Sequence, residues 1–390
     1  MNLHFAPLLV AVPLGIAFLI PLIARRLGRL ADALGSLATL AVLVGALLLL
    51  PARGVYRIGG WNPPIGINWV LDGLSNLMLV VVNLVSFAAT LFSIRYMERY
   101  TAKHRYYSLF LLMVAGMNGV ILSGDLFNLF VFLEIASVSS YALVAFGGRH
   151  EELEASFKYL VLGSIGSTLI LLAVAFTYAA TGYLNMASVS SLIAGRQAEP
   201  LLLLAAVLFI VGFGIKAAVV PFHPWLPDAH PSAPAPISAM LSGVLIKALG
   251  IYALSRVLFN VIGVSTVIAG VLIAVGALSM VVGVFLAVGQ WDFKRLLAYH
   301  SISQMGYVVL GIGLGGYILA VGGARSAAAL AILGGVFHLA NHSVFKSLLF
   351  LCSGSIEQAT GTRQLKEMGG LAERMPLTRA TCTIASLSVS

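Results

Sequence analysis

Long apolar stretches recur along nearly the whole 390-residue chain, and each is about 20 residues long, the length that crosses a bilayer as an α-helix. Hydrophobic residues make up 60% of the chain and charged residues only 9%, a balance that excludes a soluble domain of this size. We therefore predict an all-α polytopic membrane protein, a single integral membrane domain over residues 1–390 embedded in a lipid bilayer. Eleven spans are expected, with a twelfth starting near Leu377: 4–24, 30–50, 68–94, 107–124, 126–147, 157–181, 200–222, 236–259, 262–289, 297–322 and 327–351.

The distribution of basic residues predicts the orientation of these spans. With the N-terminus outside, fifteen of the 23 Lys and Arg residues fall on the cytoplasmic side, five outside and three within spans. This asymmetry agrees with the positive-inside rule. Arg25, Arg26, Arg29 and Lys294 belong to the cytoplasmic set. The asymmetry accounts for the net charge of +9, so we expect no nucleic-acid partner.

The sequence contains no motif for a bound cofactor, since it lacks a CxxC cluster, a haem-attachment motif and a nucleotide-binding loop. Cys352 and Cys382 lie at or within apolar spans and are interpreted as small buried hydrophobic residues. We expect no cofactor, no metal ion, and no redox or hydrolytic site in this chain.

Four charged side chains fall well inside predicted spans: Glu134, Lys216, Lys247 and Lys346. Each costs about 2.5–3.5 kcal/mol at the centre of a membrane helix, so such residues usually line an ion or proton path. Glu134 is the only charge in its span. It could form a structural pair with a lysine or act as a switch that controls when that lysine releases a proton, and the two interpretations are compatible. Lys247 lies mid-span, where snorkelling to the interface is the alternative.

Lys216 is followed by a proline-rich break in 213-FGIKAAVVPFHPWLPDAHPSAPAPIS-238. Pro221 removes a backbone donor, and irregular backbone at membrane depth needs protein or water partners. This indicates a hydrated pocket beside a lysine whose pKa responds readily to burial. The alternative is that the span ends at Pro221 and a surface loop follows. His223 and His230 either satisfy the broken backbone or carry protons.

A second cluster lies in 337-FHLANHSVFKSLLF-350, where His338, His342 and Lys346 recur at intervals of four residues. That spacing places all three on one helix face, a pattern typical of a proton relay. Two histidines one turn apart also occur in zinc sites, but no third ligand is evident. Asp72 and Asp125 lie near span ends and are predicted to be either interfacial helix caps or loop contacts. His300 is predicted to lie in or near the membrane.

Four motifs in this order resemble the antiporter-like subunits of respiratory complex I, a family that includes subunits of multisubunit sodium/proton antiporters and membrane-bound hydrogenases. The resemblance covers roughly residues 65–375. Its motifs are FVFLEI, FGIKAAVVPFHPWLPDAHPSAPAPISAMLSGVLIK, QWDFKRLLAYHSISQMGY and HLANHSVFKSLLFLCSGSI.

The resemblance implies about fourteen helices, two inverted repeats of five helices, and helices broken at membrane depth. It divides the chain into N-terminal helices (1–106), a first repeat (107–260) and a second repeat (261–390) that ends before its last helix. The implied proton path runs through a carboxylate and a series of basic residues: Glu134, Lys216, Lys247, His338, His342 and Lys346. The residues of the broken segment are implied to support this path: Pro221, His223, Asp228 and His230.

The resemblance implies a function in ion transport. We expect a proton-translocating subunit, or a cation/proton antiporting one, within a redox-driven or antiporter complex such as an NADH–quinone oxidoreductase-like translocase. Its partners would be other membrane subunits and protons, with sodium as the alternative ion, in the cytoplasmic membrane of a bacterium or archaeon. The rival hypothesis is a stand-alone secondary transporter of a small solute, and a weaker one is a structural membrane anchor.

Overall fold

The structure is a computed structural model that describes residues 3–25, 27–196 and 199–389. Arg26 of the predicted cytoplasmic set and the terminal Ser390 lie outside the described residues. Helices account for most of the described chain: α1 Leu8–Ile23, α2 Gly28–Leu49, α3 Gly73–Tyr96, α4 Lys103–Leu122, α5 Leu126–Val144, α6 His150–Thr181, α7 Met186–Ile193, α8 Pro200–Ala217, α9 Leu226–Ser232, α10 Ala235–Met240, α11 Ala253–Val257, α12 Thr266–Val288, α13 Phe293–Ala320, α14 Arg325–Thr360, α15 Leu371–Arg374 and α16 Pro376–Leu387.

Eleven helical segments of the described chain are long and apolar enough to cross a membrane. They match the eleven predicted spans one for one, and α16 forms where the twelfth was expected. The prediction of an all-α polytopic membrane protein is therefore confirmed. The residues at most span ends differ by a few positions, and the larger differences have identifiable physical causes.

A β-hairpin replaces the start of the third predicted span. Strands β1 (Gly54–Arg57) and β2 (Asn68–Leu71) pair antiparallel, so the helix begins only at Gly73. Asp72 caps that helix, because its carboxylate accepts from the Ser75 amide at 2.9 Å while the Ser75 hydroxyl accepts from the Asp72 amide at 2.7 Å. Asp125 caps α5 in the same way through Asn128. Both predicted caps are confirmed.

Helix α14 is longer than predicted, ending at Thr360 instead of 351. Gly361, with φ of 75°, terminates it in the left-handed conformation that glycine adopts without strain. A short 3-10 turn, Leu365–Glu367, and helix α15 follow. The extra turns carry Glu357, which pairs with Lys294 of α13 at 3.5 Å.

The segment Ala235–Ile262 forms the centre of the bundle, and its most apolar stretch is entirely buried. Residues Leu241–Tyr252, which we call the π segment, are π-helical, a geometry that is rare and often marks functional sites. Glycines let it pack tightly on both sides. A Cβ on Gly250 would lie 2.6 Å from the backbone of Ala217 in α8, and one on Gly243 would collide with Ser347 of α14.

Candidate functional site: a buried line of ionisable side chains

The break after Lys216 comes earlier than the sequence predicts. Helix α8 ends at Ala217, not at 222, and Ala218 adopts a left-handed φ of 54°. Side chains satisfy the freed backbone groups. Trp225 donates its indole N–H to the Ile215 carbonyl at 3.0 Å, and the Val220 amide donates to the Ser279 hydroxyl at 2.9 Å. Lys216 therefore occupies the last turn of an interrupted helix, as predicted from the prolines that follow it in the sequence.

The segment that follows the break is largely buried, so the surface-loop alternative is wrong. Trp225, Leu226 and His230 are each at most 1% exposed. The idea that His230 satisfies the broken backbone is also wrong, because neither of its ring nitrogens has a hydrogen-bond partner among the described residues. His223 is only partly buried.

Asp228 and Pro221 lie at the edge of this segment rather than in the buried line. Pro221 is exposed. The Asp228 carboxylate pairs with Lys158 at 3.0 Å and with Arg295 at 3.1 Å, which ties α9 to α6 and α13. Asp228 is therefore placed where it can hold the broken segment.

Glu134 and Lys216 face each other between α5 and α8. Their charged atoms lie 3.8 Å apart, with the lysine side chain 3% exposed and the glutamate 33% exposed. The ammonium also donates to Ser137 at 2.9 Å and to the Tyr141 hydroxyl at 3.2 Å. The Ser167 hydroxyl donates to the glutamate. The pair predicted from two separate motifs is thus brought together, with a set of hydroxyl groups around it.

Lys247 lies in the π segment and is fully buried, so snorkelling to the interface is excluded. Its amine donates to the Ser242 carbonyl, and the Ser242 hydroxyl hydrogen-bonds Ser301 of α13 at 2.7 Å. Ser301 follows His300 directly in α13. Because Gly250 packs on α8 and Gly243 on α14, the π segment places Lys247 between the helices that carry Lys216 and Lys346.

Lys346 is fully buried in α14 and contacts a residue that the motifs did not place in the path. Its amine lies 2.7 Å from Nδ1 of His300 in α13. His338 contacts Gln304 of α13 at 2.7 Å, and the Gln304 amide lies 3.5 Å from the second His300 nitrogen. The chain of contacts therefore runs Lys346, His300, Gln304, His338 across two helices.

His342 is fully buried between its predicted neighbours. Its ring centroid lies 6.3 Å from that of His338 and 5.0 Å from that of Phe345. Neither ring nitrogen has a hydrogen-bond partner in the described part of the chain. The three residues of the α14 motif thus share one face, as predicted, but only His338 and Lys346 are joined by hydrogen bonds, through Gln304 and His300 of α13.

A second missed feature is the buried pair Lys294–Glu357. Lys294 is 1% exposed and donates to the Ala233 carbonyl at 3.0 Å besides its contact with Glu357. Its place beside Arg295 in a polar stretch led to its assignment to the cytoplasmic loop set. The carboxylate that pairs with the buried Lys294 belongs to Glu357. Glu357 lies in the part of α14 beyond residue 351, which the hydropathy pattern does not reveal.

These side chains form a line of buried and partly buried ionisable groups through α5, α8, the π segment, α13 and α14. Amines and imidazoles in such a setting can hold or release a proton, and buried charges within membrane spans mark ion paths. The fold and this site define a polytopic helical membrane protein with ionisable side chains in its interior.

The chain belongs to the NADH:quinone oxidoreductase/Mrp antiporter transmembrane family, whose family model matches residues 123–390. A second family model, described as NADH-ubiquinone oxidoreductase (complex I), chain 5 N-terminus, matches residues 58–107. The resemblance stated from the motifs is therefore confirmed.

Individual relatives agree with this assignment. The chain is 37% identical to NADH-quinone oxidoreductase subunit N of Desulforudis audaxviator, over 100% of this chain and 77% of the relative. It is 33% identical to a Na(+)/H(+) antiporter subunit of Alkalihalophilus pseudofirmus, over 86% of this chain and 66% of the relative.

Solved structures show the same fold. A chain of the membrane-bound sulfane sulfur reductase, an archaeal respiratory membrane complex, superposes with a TM-score of 0.88 at 34% identity, covering 97% of this chain and 77% of that chain. A chain of the Mrp complex from a Dietzia species gives a TM-score of 0.86 at 32% identity, covering 99% and 71%.

Proposed function

We propose that this chain is a proton-translocating membrane subunit of a multisubunit complex, either redox-driven or a cation/proton antiporter. The observation that carries the proposal is the line of ionisable side chains that runs from the partly buried Glu134 through the buried Lys216 and Lys247 to Lys346. Its relatives are named as a subunit of NADH-quinone oxidoreductase and a subunit of a Na(+)/H(+) antiporter, and these names support a role in energy-coupled ion movement.

The Glu134–Lys216 pair controls proton release in this proposal. With the carboxylate 3.8 Å away, the ammonium is stabilised in surroundings that otherwise disfavour charge. When the carboxylate is protonated or moves away, Lys216 loses that stabilisation and gives up its proton. The neutral Lys216 amine then still donates hydrogen bonds to the hydroxyl groups of Ser137 and Tyr141, which it already contacts.

The proton next passes to Lys247 and on toward Lys346 and His300. Ser242 accepts from Lys247 through its carbonyl, and its hydroxyl hydrogen-bonds Ser301 of the helix that carries His300. In this scheme residues 107–260 belong to the first repeat and residues 261–390 to the second, after N-terminal helices in 1–106. Pro221, His223 and Asp228 support the break.

The chain works beside other membrane subunits in the cytoplasmic membrane of a bacterium or archaeon, with its N-terminus outside. Protons are the transported ion, and sodium is the second ion to be tested. The driving energy reaches the chain through its partner subunits. The end of the bundle that carries Lys294, Asp228 and Glu357 then faces the cytoplasm.

Lys216 variants test this function in the complex purified with the chain and reconstituted into liposomes. Lys216→Met removes the titrating amine, and Lys216→Arg keeps the charge but cannot release a proton near neutral pH. We expect both to lower proton translocation by about 10²-fold, the scale of losing a positioned proton-transfer group. Lys366→Met, at an exposed lysine outside the line of ionisable groups, is the matched control.

Unchanged translocation by either assembled Lys216 variant would contradict the proposal. Assembly is checked by the subunit composition of the purified complex. Transport measured with and without sodium identifies the ion, and transport that depends instead on a small solute would support the rival transporter hypothesis.

A further inference from the structure

The chain has two cysteines, and both lie where α14 packs against α16. Both are free thiols. Cys352 is 4% exposed, which suits the interpretation of a small buried hydrophobic residue, whereas Cys382 is only partly buried. Burial therefore does not account for the pair, and the contacts between the two helices carry the argument further.

The two helices run antiparallel, in a register that sets the cysteines opposite each other. Asn341 of α14 donates to the Ser388 carbonyl at 3.1 Å. About three turns further along α14, the Cys352 sulfur lies 3.4 Å from the Thr381 hydroxyl. Thr381 directly precedes Cys382, whose thiol hydrogen-bonds that of Cys352. The two thiols are therefore in contact across the boundary between the helices.

A cavity of about 220 Å³ lies beside Cys382 and gives a small molecule room to approach its sulfur. Ile356 of α14, Met375 and Arg379 are among the residues that line it with Cys382. A thiol reacts as its thiolate, which a neighbouring cationic group stabilises. The guanidinium of Arg379 on the same cavity makes Cys382 the reactive member of the pair, and the buried Cys352 is the second thiol.

We propose that Cys352 and Cys382 form an oxidation site, at which a hydroperoxide joins α14 to α16 by a disulfide. The Cys382 thiol gives its proton to water, and the thiolate attacks the hydroperoxide. An S–O bond forms, the O–O bond breaks, and the leaving oxygen takes up that proton. The Cys352 sulfur then displaces the hydroxyl group from Cys382, so that the S–S bond forms, the S–O bond breaks, and the hydroxide leaves with the Cys352 proton as water.

The electrons and protons of this reaction balance. The two thiols together give up two electrons and two protons, and the hydroperoxide is reduced to an alcohol and water, or to two waters when it is hydrogen peroxide. The disulfide ties α14 to α16 less than two turns from Lys346. The oxidation site is independent of the proposed function, because its formation requires no proton to move along the line of ionisable groups.

The test counts the free thiols of this chain in the purified complex before and after treatment with hydrogen peroxide. Thiols are alkylated with N-ethylmaleimide after denaturation, and the peptides are identified by mass spectrometry. We expect both cysteines to be alkylated in the untreated chain and neither in the treated one. The treated chain should instead yield the two cysteine peptides linked to each other and lighter by two hydrogen atoms, a change that dithiothreitol reverses.

Cys352→Ser is the control for the order of the two steps. Its Cys382 should still react with hydrogen peroxide but stop at the sulfenic acid, which dimedone traps. Cys382→Ser should leave Cys352 open to alkylation at the same dose, because the reactive thiol is absent. The deciding measurement is made on the wild-type chain and does not depend on either variant assembling.

Three results with the peroxide-treated wild-type complex would overturn the proposal. The first is that both thiols remain open to alkylation. The second is that Cys382 is oxidised while Cys352 stays free. The third is a disulfide that links either cysteine to another subunit instead of linking the two to each other.

Discussion

At the residue scale, the properties of each buried amine depend on a partner that lies on another helix. Lys216 is held by groups of α5, and Lys346 is held by His300 of α13 at 2.7 Å. The lysines and Glu134 could be predicted from sequence because a charge within a long apolar span is conspicuous. The histidine partner could not, because a histidine near the start of a span has several common roles.

His300→Phe is expected to lower proton translocation by about tenfold, because a buried amine without its hydrogen-bond partner loses roughly 1–3 kcal/mol of stabilisation. Proton uptake by the reconstituted complex measures this effect. Tyr307→Phe, an exposed position of the same helix that is 46% accessible, should leave uptake unaltered. Wild-type uptake by an assembled His300→Phe complex would remove this residue from the path.

At the element scale, the decisive feature is the close approach of the π segment to the broken end of α8. The sequence predicted a break beside Lys216 correctly but placed it at Pro221. The helix in fact ends at Ala217, where Trp225 takes over the Ile215 carbonyl. That carbonyl is satisfied by a side chain ten residues away, which a local proline rule does not anticipate. The π-helical geometry of Leu241–Tyr252 also had no signal in the apolar pattern.

Gly250→Ala tests this approach, since the added Cβ would lie 2.6 Å from the backbone of Ala217. We expect the variant to yield less assembled complex with a lower thermal midpoint, because overpacking costs about 1–3 kcal/mol. Gly270→Ala is the matched control, as a Cβ there meets nothing within 4 Å. That substitution should be neutral or slightly stabilising, because alanine is the better helix residue.

Equal stability of the Gly250→Ala and Gly270→Ala complexes would show that α8 and the π segment are not held in close contact. Thermal unfolding in detergent, monitored for both variants at the same protein concentration, makes the comparison.

At the scale of the whole molecule, hydropathy alone predicted the eleven spans, because each must present about 20 apolar residues to the bilayer. The arrangement of the spans was not predictable in the same way, since lipid-facing and buried helices have similar composition. The long Ala235–Ile262 segment is buried throughout its most apolar stretch, yet its sequence resembles that of its lipid-exposed neighbours. Burial of Lys294 likewise depends on α14 extending to Glu357.

In the proposed function the whole bundle has one role, which is to hold a line of proton-exchanging groups whose first member, Glu134, controls Lys216. Glu134→Gln is nearly isosteric, keeps an acceptor for Ser167 and removes the charge 3.8 Å from the ammonium. The most direct measurement is therefore proton translocation by the reconstituted complex that carries Glu134→Gln. We expect a loss of about 10²-fold with the subunit composition unchanged. Translocation at the wild-type rate by that assembled variant would contradict the control of Lys216 by Glu134.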